Sequence, residues 1–124
     1  MPLAALIDVD GTWTVQELSG EMDGIDNLVS GGLPGRHRSE QVLLGPWGTA
    51  CINAQGHILP LAVNVLATRL VHALTGSFFL EQLRGPVVLI GTAVDGTFTD
   101  VPLDTLLRVV ESVGPALVTG TAQS

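Results

Sequence analysis

The sequence contains no lysine and no tyrosine, and Cys51 is its only cysteine. A single cysteine cannot form a disulfide within the chain, so the sequence gives no sign of an oxidising compartment. Basic residues are also scarce, since five arginines stand against 12 acidic side chains and the formal net charge is −7. Because nucleic-acid phosphates bind to basic surfaces, this charge argues against a nucleic-acid partner.

Charged residues make up only 14% of the chain, whereas hydrophobic residues make up 46%. Disordered chains have the opposite composition, so the sequence predicts a folded protein, and 124 residues give room for one domain. The most apolar stretch, residues 58–74, is interrupted by Asn64, Arg69 and His72, so we expect no membrane span. The N-terminal segment reaches Asp8 without a basic residue, so we expect no signal peptide and a cytoplasmic location.

The order of apolar patterns predicts one α+β domain with a mainly antiparallel sheet and two principal helices. The apolar residues 4–9, the Asp10-Gly11 pair and the alternating residues 12–18 together predict a β-hairpin. Residues 20–35 are rich in glycine and predict a loop with one helical turn. Further strands are predicted at 39–44, 48–53 and 87–90.

The two predicted helices carry apolar residues at the i, i+3, i+4 and i+7 spacing of an amphipathic helix. The first begins at Pro60 or Asn64, and the Asn64 side chain is suited to capping its N-terminus. The second begins with Asp100 as its predicted N-cap. The predicted domain covers residues 1–114, and a flexible C-terminal tail is predicted at 115–124.

Residues 8–12 read D-V-D-G-T at the end of an apolar run. This pattern resembles the first motif of haloacid-dehalogenase-type phosphatases. The resemblance implies that Asp8 attacks a phosphoryl group, that Asp10 is the general acid and base, and that Mg²⁺ lies between them. The chain has no lysine to hold the phosphate, and Thr92 stands where that family's acidic motif needs a carboxylate. Since residues 12–18 alternate as a strand, we expect a hairpin turn here and keep the Mg²⁺-dependent phosphatase as the alternative function.

Other chemically reactive side chains lack a complete pattern. Cys51 lies in a predicted apolar strand, where a cysteine is usually a small buried hydrophobic residue. The three histidines have no partner at metal-ligand spacing. The sequence leaves open whether four aspartates meet around a divalent ion: Asp8, Asp10, Asp95 and Asp100. We therefore predict no catalytic residue, no resident metal and no cofactor.

The one basic segment of this acidic chain is G-G-L-P-G-R-H-R at residues 31–38. Its glycines predict a mobile, protruding loop, and binding residues are often carried by such loops. The guanidinium groups of Arg36 and Arg38 are suited to holding a carboxylate or a phosphate. Arg36, His37 and Arg38 are therefore the candidate binding residues, and a solvated loop without a ligand is the alternative.

With so few charges, the chain is expected to leave apolar surface exposed and to form a homodimer. The expected contact residues are large apolar side chains near predicted element ends. They are Leu43, Leu44, Trp47, Phe78, Phe79 and Leu80. An alternative is that Trp47, Phe78 and Phe79 fill the core.

Several short patterns follow one another from the middle to the end of the chain. They are Asn53-x-x-Gly56, Leu59-Pro60, Asn64-x-x-Ala67-Thr68, Leu83-x-Gly85-x-Val87-Val88-x-x-Gly91 and Asp100-x-Pro102. In this order and spacing they resemble the family catalogued as domain of unknown function 3846, which occurs in phages, plasmids and their bacterial hosts. The resemblance covers residues 5 to 108 and implies an accessory protein, with no established activity or catalytic residue.

The leading hypothesis is therefore a non-enzymatic binding module of phage or plasmid type whose unidentified partner is a host protein. The use of arginine without lysine, together with abundant alanine, glycine and valine, is typical of GC-rich coding, as in an actinobacterium or its phage. Neither observation names the ligand.

Overall fold

The computed structural model describes residues 2–18, 22–35, 37–44, 48–56, 58–75 and 82–111. These residues form a small α+β domain with a mainly antiparallel sheet, which confirms the predicted fold class. A third helix, α3, begins at residue 103 and continues through residue 111. The other elements are β1 (Leu3–Ile7), β2 (Trp13–Glu17), α1 (Met22–Val29), β3 (Ser39–Leu43), β4 (Thr49–Asn53), α2 (Val65–Thr75), β5 (Val87–Thr92) and β6 (Phe98–Thr99).

The strands form one sheet in the order β2-β1-β5-β4-β3, and β6 pairs with the last residues of β5. Each of these pairings is antiparallel. The central strand β5 is buried from Val87 through Gly91. Its sequence is continuously apolar rather than alternating because both of its faces are covered.

The sheet lies between helices on both faces. On one face, Ala5, Ile7 and Leu89 belong to a core shared with α2 and with Leu106 of α3. On the other face, Val88 and further strand residues pack in a second core with α1. Successive residues of β1 and β5 alternate between the two cores, as the pleat of a strand requires.

Helix α1 is longer than the sequence analysis predicts, because an eight-residue helix replaces the single turn expected within residues 20–35. Ile25 and Val29 are fully buried and lie four residues apart, so both face the sheet. Burial of this apolar pair compensates for the weak helix propensities of Gly24 and Asp26. The loop prediction was therefore wrong for residues 22–29.

The predicted cap of the last helix was also wrong. The Asp100 carboxylate accepts the Leu3 amide hydrogen bond at 2.8 Å, which joins two residues that are 97 positions apart. Helix α3 begins instead after Pro102, whose carbonyl accepts the Leu106 amide at 3.0 Å. The cause is β6, which turns the chain so that residues 100 and 101 lie beside the start of β1.

The N-terminus of α2 confirms the predicted capping by Asn64. Its Oδ1 atom accepts the Ala67 amide at 3.1 Å, and its carbonyl accepts both the amide and the hydroxyl of Thr68. Its Nδ2 group donates to the carbonyls of Ile7 and Gly85, each at 2.9 Å. The fully buried Asn64 side chain thus connects α2 to the end of β1 and to the segment before β5.

The residues expected to mediate dimerisation fall into three groups. Leu43 is 74% exposed, as the prediction requires, whereas Leu44 is only 2% exposed and belongs to the core beneath α2. The expectation was wrong for Leu44 because its side chain belongs to the core between the sheet and α2. Trp47 and residues 78–80 lie outside the described residues, as does the predicted tail at 115–124.

Within the part of the chain that the structure describes, no helix combines the length and the hydropathy needed to cross a membrane.

Removal of the Asn64 amide should be strongly destabilising, because it leaves buried carbonyls and a helix amide without partners. We expect Asn64→Ala to lower the free energy of unfolding by about 2–4 kcal/mol, measured by urea denaturation. Asn64→Asp should be similarly harmful, since it keeps the capping oxygen but directs a carboxylate at two carbonyls. Asn27→Ala, at an exposed helix position, serves as the control. A near-neutral Asn64→Asp would contradict the role of the two carbonyl contacts.

Candidate functional site

A cleft of about 640 Å³ lies between the C-terminal half of α1 and the loop that precedes β3. Two of the three candidate binding residues, His37 and Arg38, line this cleft, and Arg36 lies outside the described residues. The cleft is concave and lined mainly by polar side chains, so it is suited to a polar or charged ligand group rather than to an apolar one. The lining residues are Asp26, Asn27, Ser30, Leu33, Gly35, His37 and Arg38.

The His37 ring is held at both of its nitrogens. The Asn53 Nδ2 group donates to His37 Nδ1 at 3.2 Å and to the Val29 carbonyl at 3.1 Å, so both amide hydrogens have acceptors. Asn53 Oδ1 in turn accepts the Gln55 amide, which fixes the orientation of the side-chain amide. With Nδ1 as the acceptor from Asn53, the Nε2–H group of His37 is the donor to the Pro34 carbonyl at 3.1 Å.

The buried Asn53 therefore determines where the loop lies. It is only 3% exposed, and it connects β4 to the end of α1 and to His37 at once. Gly31 and Gly32 follow α1 with φ angles of +65° and +80°, the left-handed conformation in which glycine commonly ends a helix. Sequence reasoning selected the loop from its glycines and arginines, but it missed Asn53, which is assigned only through contacts made in the folded chain.

The cleft carries charges of both signs. Arg38 is exposed, while its carbonyl accepts the Ala54 amide at 2.9 Å and so anchors its backbone to the end of β4. The Asp26 carboxylate accepts the Ser39 amide at 2.8 Å. The Ser39 hydroxyl is buried and has no hydrogen-bond partner among the described residues. The cleft is thus lined by the exposed Arg38 and by the Asp26 carboxylate, which accepts the amide of the residue that follows Arg38.

Asp8 and Asp10 lie in an antiparallel hairpin between β1 and β2, which confirms the predicted turn. The Asp8 amide donates to the Thr12 carbonyl at 2.8 Å, and Gly11 has a φ angle of +87°. Asp10 Oδ1 accepts the hydroxyl and the amide of Thr12 at 2.6 and 2.9 Å. These bonds, the hydroxyl bond first, lower the pKa of Asp10. The carboxylate of Asp10 is therefore a structural part of the turn.

The turn between β5 and β6 repeats this arrangement. Residues 9–14 read V-D-G-T-W-T and residues 94–99 read V-D-G-T-F-T, so five of six positions are identical. Asp95 Oδ1 accepts the hydroxyl and the amide of Thr97 at 2.7 and 3.0 Å, and these bonds lower the pKa of Asp95. The repeat is visible in the sequence, but the sequence analysis missed it. It shows that D-G-T forms a hairpin turn twice in this chain.

The two turns lie at opposite ends of the sheet, because β1 and β5 are antiparallel and Ile7 pairs with Val87. Asp8 and Asp10 therefore do not meet Asp95. Among the described residues, no group of three or more histidine, cysteine, aspartate or glutamate side chains is placed to hold a metal ion.

The Cys51 thiol is fully buried in the core beneath α1, as the sequence analysis predicts. Burial, and secondarily the Asp26 carboxylate, raises the pKa of Cys51 from its ordinary value of 9.0 to about 11. A thiol of this kind is a poor nucleophile at neutral pH because little of it is ionised.

The raised pKa and burial of Cys51 predict slow thiol chemistry in the native state. At pH 8, a pKa near 11 instead of 9.0 reduces the thiolate fraction by roughly 100-fold. We expect the native chain to react with Ellman's reagent at least about 100-fold more slowly than the chain in denaturant. Equal rates in the two states would contradict the burial of this thiol.

No protein-family model matches the chain, and comparisons with curated proteins and with solved structures find no match either. The resemblance to domain of unknown function 3846 therefore stays a prediction.

Proposed function

We propose that this protein is a non-enzymatic binding module that holds an anionic group of a partner protein in the cleft between α1 and the loop at 30–38. The observation that carries the proposal is that His37 and Arg38, both selected from the sequence, line one concave polar cleft together with residues of α1. The anionic group is a carboxylate or a phosphate. Among the described residues of the cleft, Arg38 supplies the guanidinium that contacts it.

The fixed positions of His37 and of the Arg38 backbone support binding over a loop without a ligand. The Asn53 side chain donates to the His37 ring, and the Ala54 amide donates to the Arg38 carbonyl, so both residues are anchored to the end of β4. A preorganised backbone loses less conformational entropy on binding than a mobile one.

The carboxylate in the cleft narrows the ligand class. One carboxylate oxygen of Asp26 accepts the Ser39 amide hydrogen bond, and its other oxygen is able to accept a hydrogen bond from a ligand. A simple inorganic anion would be repelled by Asp26, whereas a peptide can present its acidic group to Arg38 and a backbone amide to Asp26. The proposed ligand is therefore an acidic or phosphorylated peptide segment.

The biological setting is proposed from the sequence alone. The family resemblance and the composition favour a phage or plasmid accessory protein from an actinobacterial host, acting in the cytoplasm on a host protein. The homodimer expected from the low charge content belongs to the same proposal.

The alternative function is the Mg²⁺-dependent phosphatase that uses Asp8 and Asp10. Its support is the D-V-D-G-T sequence. Against it, Asp10 Oδ1 accepts two hydrogen bonds from Thr12, and Asp8 Oδ1 accepts the Val9 amide at 2.7 Å, so one oxygen of each carboxylate is engaged in the turn.

A phosphatase assay separates the two functions. We expect no hydrolysis of p-nitrophenyl phosphate above background with Mg²⁺, because the two carboxylates serve the turn. Asp10→Asn and its structural equivalent Asp95→Asn should behave alike, with small effects on stability and none on turnover. Turnover that is lost in Asp8→Asn or Asp10→Asn but kept in Asp95→Asn would establish the phosphatase.

The cleft is tested by removing its arginines together. We expect Arg36→Ala combined with Arg38→Ala to weaken binding of a captured host partner at least about 10-fold, since a charged hydrogen bond contributes about 1.5–3 kcal/mol. The melting temperature should be nearly unchanged because Arg38 is exposed. Arg69→Ala combined with Arg108→Ala is the matched control, with the same loss of charge at exposed positions. Equal affinities of the two double variants would overturn the proposed site.

A further inference from the structure

The two edges of the sheet are β2 and β3, and they differ in how their outer peptide groups are used. At β3, the Leu44 amide donates to the Gly48 carbonyl, and the Ala54 amide donates to the Arg38 carbonyl. The even-numbered residues of β3 therefore direct their amide and carbonyl groups toward β4. The Ser39 amide therefore points away from β4, and the Asp26 carboxylate accepts its hydrogen bond. Helix α1 thus covers one end of this edge.

The β2 edge has no such cover from the described residues. The hydrogen bonds from Asp8 to Thr12 and from Leu18 to Pro2 show that even-numbered residues of β2 bond to β1. Three residues consequently direct their amide and carbonyl groups away from the sheet: Trp13, Val15 and Glu17. Strand edges are usually protected by charged side chains, above all lysine, by proline or by a bulge. The sequence W-T-V-Q-E has neither lysine nor proline, and Glu17 is its one charged residue.

The sequence of this edge is complementary to a second copy of itself. In an antiparallel pair centred on Val15, that residue faces the partner's Val15, and Trp13 faces the partner's Glu17. The only charged side chain of the strand, Glu17, is thereby kept away from its own copy. A parallel pair in register would instead bring the two glutamates together. The antiparallel pair forms about six main-chain hydrogen bonds.

Side-chain packing supports the same register. Trp13, Val15 and Glu17 lie on the face of the sheet that carries α2 and α3, since they pair with Ile7, Ala5 and Leu3 of β1. Val15 is 37% exposed, and Trp13 is only partly buried. Across the two-fold axis each tryptophan is the diagonal neighbour of the partner's Val15, a favourable aromatic and β-branched contact.

We propose that two copies of this chain associate through their β2 edges, with the two-fold axis at Val15, to form one continuous antiparallel sheet. A two-fold pairing uses the same edge on both copies and leaves no further edge of this kind open, so the assembly closes as a dimer. The interface differs from the cleft. It gives a location to the homodimer included in the proposed function, and it does not rest on the binding of an anionic group in the cleft.

Light scattering of the full chain at micromolar concentration measures the association. We expect a mass of twice 12.9 kDa for the natural sequence. Val15→Lys should return the mass to that of the monomer, because it places two ammonium groups together at the axis. Val94→Lys, at a fully exposed hairpin tip, is the matched control and should remain dimeric. A monomeric natural sequence, or a dimeric Val15→Lys variant, would overturn the proposal.

Cysteine cross-linking gives a second readout that does not depend on the folding of the lysine variant. Opposed Cα atoms in a hydrogen-bonded antiparallel pair are about 5.5 Å apart, within the range of a disulfide. Under copper phenanthroline and air, Val15→Cys should form a covalent dimer on a non-reducing gel. The natural sequence, whose Cys51 is buried, and Val94→Cys should not. Equal cross-linking of Val15→Cys and Val94→Cys would contradict this register.

Discussion

The buried side chain of Asn64 is the contact on which the arrangement of this domain depends. One amide caps α2 and binds the carbonyls of Ile7 and Gly85, which lie at the end of β1 and just before β5. The backbone amide of Asn64 also donates to Leu83 at 2.8 Å. Since a buried polar group without a partner is costly, the helix and the two neighbouring central strands are stable only in this mutual position. Asn53 acts similarly on the other face, where it fixes the cleft loop against α1.

The D-G-T turns show how a structural requirement can produce the sequence of a catalytic motif. An aspartate that accepts from a threonine two residues later, followed by a glycine with positive φ, closes both hairpins in the same way. A phosphatase needs the same residue types for chemistry. The repeat at residues 94–99, remote from the first turn, favours the structural explanation.

The low charge content has two separate consequences. In the cleft, Arg38 is one of only five arginine or lysine residues in an acidic chain. An anion therefore finds few other cationic side chains to bind. At the sheet edge, the absence of lysine leaves β2 without the side chain that most often prevents strand addition. The composition thus bears on both proposed contacts, although they lie on different elements.

The sequence by itself determined the features that depend on neighbouring residues. The first hairpin, the continuous apolar strand at 87–90 and the cap at Asn64 follow from turn chemistry, burial on both faces and helix-end hydrogen bonding. Only the tertiary structure decided the length of α1, the hydrogen bond from the Leu3 amide to Asp100 and the hydrogen bond from Asn53 to the His37 ring. These depend on partners that are distant in the chain, and local propensity contains no information about which distant group will be in reach.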